Sequence, residues 1–152
     1  MLKLTHEMTF HLAVSGPLGS TKDAPGGERV CWEMASGTLQ GPRIRAEIAK
    51  PGSDWMHASS DGFWRPDVHI AFTTDDGALV LLHYTGLVQQ TDAFIKAAEA
   101  GAATDWDAQY MRMAMRFETG AARYAWLNQS LFVAQGRLAG DKQIEYRIYR
   151  VE

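Results

Sequence analysis

Asp67-Val68-His69-Ile70-Ala71-Phe72-Thr73-Thr74-Asp75-Asp76-Gly77-Ala78-Leu79-Val80-Leu81-Leu82-His83-Tyr84-Thr85-Gly86 reads as two strands folded about a tight turn. The runs Asp67–Thr73 and Ala78–Gly86 show the period-two pattern of half-buried strands. Between them Gly77 supplies the positive φ that a tight hairpin turn needs.

The same pattern recurs in both directions. Met8, Phe10, Leu12 and Val14 alternate with Glu7, Thr9, His11 and Ala13. Further strands are expected at Arg29–Met34, Pro42–Ile48, Tyr110–Glu118, Arg123–Gly136 and Gln143–Val151, the last entered through Gly140-Asp141. Ser15 to Gly27 is rich in Gly and Pro without apolar periodicity, and reads as a loop able to act as a lid. One helix is expected, Thr91 to Ala100, capped by Thr91 or Asp92 and ended by Gly101. Eight or nine strands joined by short turns favour a closed antiparallel β-barrel, because closure removes exposed edges. Such a barrel has room inside for side chains or for one small ligand.

Composition narrows the function. The chain has 152 residues, the size of one domain, and a net charge of −3. Its fifteen Lys and Arg form no basic stripe, so nucleic acid is not an expected partner. The N-terminus lacks the apolar core of a signal peptide, and no apolar run is long enough to span a bilayer. The expected location is therefore cytoplasmic. The single cysteine, Cys31, excludes an intrachain disulfide and reads as a buried, inert thiol.

In the C-terminal third a family pattern emerges. Arg112-Met113-Ala114-Met115-Arg116-Phe117-Glu118-Thr119, then Arg123-Tyr124-Ala125-Trp126-Leu127-Asn128, then Phe132 and Gly136, resemble the signature of the family known as domain of unknown function 3237, or UPF0311. Upstream, Gly37-Thr38-Leu39-Gln40-Gly41-Pro42-Arg43, Ser53-Asp54-Trp55 and the central hairpin agree in order and spacing. The resemblance implies a barrel of the allene-oxide-cyclase-like or lipocalin-like kind that self-associates, as a dimer. It brings no reaction with it. The family usually carries Asp-x-Arg on the central strand; this chain has Asp67-Val68-His69, which replaces a permanent cation with a group that titrates near neutrality.

Several residues can carry chemistry. Asp67 and His69 leave the same face of a strand, where a carboxylate can orient an imidazole for acid/base work. The alternative is a rim ion pair. Of His83 and Tyr84 on the paired strand, Tyr84 shares the face of Val80 and Leu82 and is expected in the lumen. Tyr124, Trp126 and Asn128, read as a strand, form a donor-rich aromatic wall, able to bind a carbonyl or phenol or simply to pack. Arg112 and Glu118 share a face; Arg112 can pair with Asp67 or with an anionic substrate, and Glu118 can serve as a second acid or cap the strand end through a surface ion pair. Met111, Met113 and Met115 on the opposite face read as core or dimer packing. Trp55 completes the expected pocket. No Gly-rich nucleotide loop is present, and the five histidines include no His-x-x-x-His or His-x-His pair, so no cofactor or metal is expected.

The leading expectation is a cofactor-independent lyase or isomerase acting on an aromatic or polycyclic substrate inside the barrel. Asp67, His69, Tyr124 and Asn128 would be catalytic, and Trp55, Tyr84, Arg112, Glu118 and Trp126 ligand-binding. The alternative is a carrier or sensor that binds a small apolar or aromatic molecule; a purely structural subunit is a third reading.

Overall fold

The computed structural model describes residues 1–152. Its strands are β1 (Leu4–Ser20), β2 (Arg29–Gly41), β3 (Ile44–Ala58), β4 (Phe63–Arg65), β5 (Asp67–Thr74), β6 (Leu79–Gln89), β7 (Met111–Glu118), β8 (Phe132–Gly140) and β9 (Gln143–Val151), with one helix, α1 (Asp92–Ala100). All pairings are antiparallel, and hydrogen bonds run round a ring: β1, β2, β3, β5, β6, β7, β8, β9 and back to β1. Short β4 bridges β3 and β6 at one end. The expected all-β barrel with one short helix is what the chain forms. No helix is long and apolar enough to cross a membrane.

The central hairpin closes at its turn, where Gly77 has φ 85° and donates its N–H to the Thr74 carbonyl. Inward residues of this hairpin, Val68, Ile70, Phe72, Val80, Leu82 and Tyr84, are all buried. They meet Phe10 and Tyr146 from across the barrel; Phe10 stands edge-on to Phe72 at 5.3 Å and stacks on Tyr146 at 6.0 Å. Each such ring contributes roughly 1.5–3 kcal/mol by leaving water. Met111, Met113 and Met115 also point inward and are buried, so the core reading of the methionines is correct.

Thr91 caps α1 by accepting the Phe94 N–H at 3.1 Å, and Gly101 ends it in the left-handed conformation. None of its residues is buried, yet Phe94 and Ala97 face the barrel interior. The helix therefore lies over one mouth as a thin cover.

Four local expectations need correction. The segment Ser15–Gly27 is strand as far as Ser20, because Pro17, Gly19 and Ser20 pair with Trp32, Cys31 and Val30 through bulges. Only the remainder is loop. The strand expected at Pro42–Ile48 continues to Ala58: two register shifts carry β3 past Pro51-Gly52 while it stays paired with β5. Gly52 is required there, since a Cβ would stand 2.4 Å from the His69 carbonyl. Residues Ala122–Leu127 form a 3-10 helix, not a strand. That helix plugs the barrel end opposite α1, with Tyr124 and Leu127 buried. Finally, Cys31 is half-buried and not in the core.

Candidate functional site

Beneath α1 the core side chains stop short of filling the barrel and leave a cavity of about 620 Å³, within the range of small-molecule sites. Its wall is largely apolar, including Met34, Trp64, Val88 and Met111. Three polar side chains stand out in it: Asp54, Tyr84 and Tyr146.

Asp54 sits on β3 opposite Trp32 on β2 and Val68 on β5, and Val68 in turn faces Tyr84 on β6. One rung of the sheet thus carries a carboxylate, a phenol and an indole to the same level. Asp54 is 4% exposed, and its Oδ1 accepts one hydrogen bond, from the Asp67 N–H at 3.0 Å. Burial pushes its carboxyl up to about 6; the Asp67 N–H opposes the rise and the Asp67 charge adds to it. A displacement of that size corresponds to about 3 kcal/mol of disfavoured ionisation. Carboxylates kept in such a state in a cavity are characteristic of functional sites.

Tyr84 and Tyr146 meet edge-on, with centroids 5.7 Å apart. Burial raises both hydroxyls far above the ordinary phenol range, and the Asp54 charge reinforces this in each. Both phenols stay protonated and can donate. Trp32 adds another donor: its Nε1 is buried with no hydrogen-bond partner.

The residues expected from sequence are distributed differently. Tyr84 is in the lumen, as expected. Asp67 and His69 are on the outer face of the barrel, where His83 joins them: Asp67 Oδ1 lies 3.0 Å from His83 Nε2 and 3.7 Å from His69 Nε2. The two imidazoles stack at 4.3 Å, only 12° from parallel. Trp55 is 57% exposed because the bulged register sends its neighbour Asp54 inward. Arg112 and Glu118 also lie on the outer face, Arg112 against the Tyr110 ring.

Tyr124, Trp126 and Asn128 do not form a wall of the cavity. The Tyr124 hydroxyl donates to Asp76 Oδ1 at 2.7 Å, and Thr74 and Arg123 also donate to that carboxylate. Together these bonds hold the Asp76 carboxyl down at about 2, Thr74 contributing most. Asn128 exchanges hydrogen bonds with the Thr119 backbone. Trp126 packs edge-on to Phe132 beneath the Arg43 guanidinium, 3.7 Å from the ring centroid. Arg43 and Arg150 in turn clamp buried Glu7, each at 2.8 Å. Burial alone would raise the Glu7 carboxyl, but these two partners bring it below its ordinary value. This end of the barrel is a structural seal.

Sequence reasoning missed Asp54, Tyr146 and Trp32. Asp54 lies in the Ser53-Asp54-Trp55 motif, but the expected strand ends at Ile48, and β3 runs on to Ala58. Tyr146 was legible as an inward position of the last strand.

The model of the family described as "Protein of unknown function (DUF3237)" matches residues 2–151. A UPF0311 protein of Clostridium acetobutylicum is 26% identical over 133 residues, covering 86% of this chain and 84% of that protein. The crystal structure of a conserved protein of unknown function from Rhodopseudomonas palustris superposes with a TM-score of 0.87 at 24% identity, over 100% of this chain and 98% of the other. That of an enzyme from Penicillium herquei superposes with a TM-score of 0.70 at 18% identity, over 100% and 94%. The chain therefore belongs to the DUF3237 (UPF0311) family of proteins of unknown function.

Proposed function

We propose that this protein is a small-molecule isomerase that moves a proton on an apolar, carbonyl-bearing or phenolic substrate held beneath α1. The observation that carries this reading is the buried Asp54 carboxylate, raised to about 6, inside an apolar cavity of about 620 Å³. Near neutral pH most of it is ionised, and its basicity is close to the value at which proton transfer is efficient.

The chemistry follows from what the site offers. Asp54 takes a proton from the carbon beside the substrate carbonyl, and the electron pair of that C–H bond becomes the C=C bond of an enol or enolate. The Tyr84 and Tyr146 hydroxyls and the unpartnered Trp32 N–H stabilise the oxygen as charge grows on it. In a substrate with a C=C bond β,γ to the carbonyl the enolate extends over both double bonds, and Asp54 returns the proton to the γ carbon, so the net change is a shifted double bond. The catalytic role expected for Asp67 and His69 passes to Asp54, since that pair faces away from the cavity. The neighbouring fold from Penicillium herquei belongs to a protein named an enzyme, which is compatible with turnover in such a barrel.

A carrier uses the same cavity and differs in one respect: it does not exchange protons with its ligand. Cyclic ketones and enones incubated with the protein in D2O should take up deuterium beside the carbonyl. Asp54→Asn should still bind them, by tryptophan quenching, and should lose exchange by ~10²-fold or more. A wild-type protein that binds these compounds without exchange would be a carrier.

A further inference from the structure

We propose that Asp67, His69 and His83 form a binding site for one divalent transition-metal ion of the zinc type on the outer face of the barrel. The site is separate from the lumen and has its own chemistry. Two imidazoles and one carboxylate are a donor set that such ions favour, and it leaves a further coordination position open.

The geometry supports three donors converging on one ion. All three ligand atoms lie within 4.8 Å of one another. A tetrahedral centre with bonds of about 2.0–2.1 Å has ligand–ligand edges of about 3.3–3.4 Å. The two edges from Asp67 Oδ1, 3.0 Å to His83 and 3.7 Å to His69, bracket that value. Both histidines turn the same atom, Nε2, toward the carboxylate. The imidazole lone pairs lie in the ring planes, so the stacked rings must tilt out of parallel to converge on one ion, which the exposure of both side chains allows.

The backbone fixes this arrangement in advance. His69 and His83 are direct partners in the β5–β6 ladder, equidistant from Asp76 at the turn, and Asp67 is two residues from His69 on the same face. The backbone has little freedom left to lose on binding, so the ordering cost is confined to the three side chains. His69 and His83 border a surface groove that also contains Lys50, Arg116 and Glu118. Arg116 is the ladder partner of His83 on β7, and its positive charge opposes a cation there.

The test is a zinc titration of tag-free, chelator-stripped protein by calorimetry, repeated with Co²⁺ by visible absorption. One ion per chain with a micromolar Kd is expected, together with Co²⁺ bands of a low-symmetry site. His69→Ala and His83→Ala, both at exposed positions, should each weaken binding at least tenfold. Arg116→Ala should tighten it several-fold, and His11→Ala, remote on β1, should leave it unchanged. Thermal melts in chelator establish that each variant is folded. Absence of saturable one-to-one binding would overturn the proposal, as would equal affinity in wild type, His69→Ala and His83→Ala, or an equal loss in His11→Ala.

Discussion

The backbone N–H of Asp67 donates to the Asp54 carboxylate at 3.0 Å, while the side chain of the same Asp67 meets His83 at 3.0 Å on the other side of the sheet. One residue of β5 therefore serves both faces. Its amide orients the acid of the lumen, and its carboxylate organises the outer histidines. The two sites are one peptide unit apart, so solution tests of the lumen are best run in chelator.

The ionisation of Asp54 should be visible in stability. Its folded-state value, about 6, lies above its unfolded value of about 4, so between these the folded chain binds more protons. Stability attributable to this group is then fully present below pH ~4 and lost as pH rises through ~6. Asp54→Asn, whose amide oxygen can still accept the Asp67 N–H, should abolish that loss. Denaturant melts should show the variant about 1–3 kcal/mol more stable than wild type at pH 8, with the advantage vanishing at pH 4. A variant less stable at pH 8 would show that ionised Asp54 is well compensated.

Tyr84→Phe removes one donor from the cavity and keeps the ring that packs on Tyr146. Binding of a flat phenol or ketone, followed by tryptophan quenching, should weaken by about 0.5–1.5 kcal/mol, the scale of one hydrogen bond. Unchanged affinity would place the ligand elsewhere.

Trp126→Ala should act on stability and not on binding. The ring seals the far end between Arg43 and Phe132, and truncating a partly buried tryptophan there should cost about 2–4 kcal/mol. Ligand affinity at a temperature where the variant is folded should match wild type. A selective loss of binding would restore Trp126 to the pocket.

Gly52→Ala forces a Cβ to within 2.4 Å of the His69 carbonyl. The β3–β5 pairing must then shift, at a cost of about 1–3 kcal/mol. Hydrogen exchange should increase for the amides between Gly52 and Trp55 and for their partners on β5, and much less around β8 and β9.

The barrel was readable because its signals are local: period-two alternation, the Asp75-Asp76-Gly77 turn and the caps of α1. Alternation also put Tyr84 inside correctly. The site was harder to see because it depends on register. Two bulges in β3 make Asp54 face inward and Trp55 outward, and no side-chain pattern around Pro51-Gly52 signals them. His83 was set aside as facing away from the lumen, which it does; its partnership with His69 follows only from the hairpin register. Tyr124, Trp126 and Asn128 are spaced as in a strand, yet each is held by a different contact outside the segment: Tyr124 by Asp76, Trp126 by Arg43 and Phe132, and Asn128 by the Thr119 backbone.

The most direct test of the account is the pH profile of α-hydrogen exchange in a cyclic ketone bound to the chelator-treated protein. The rate should rise through an apparent pKa near 6, level off above it, and lose this limb in Asp54→Asn. A rate that is flat across this range, or a profile unchanged in Asp54→Asn, would contradict the assignment of Asp54 as the group that moves the proton.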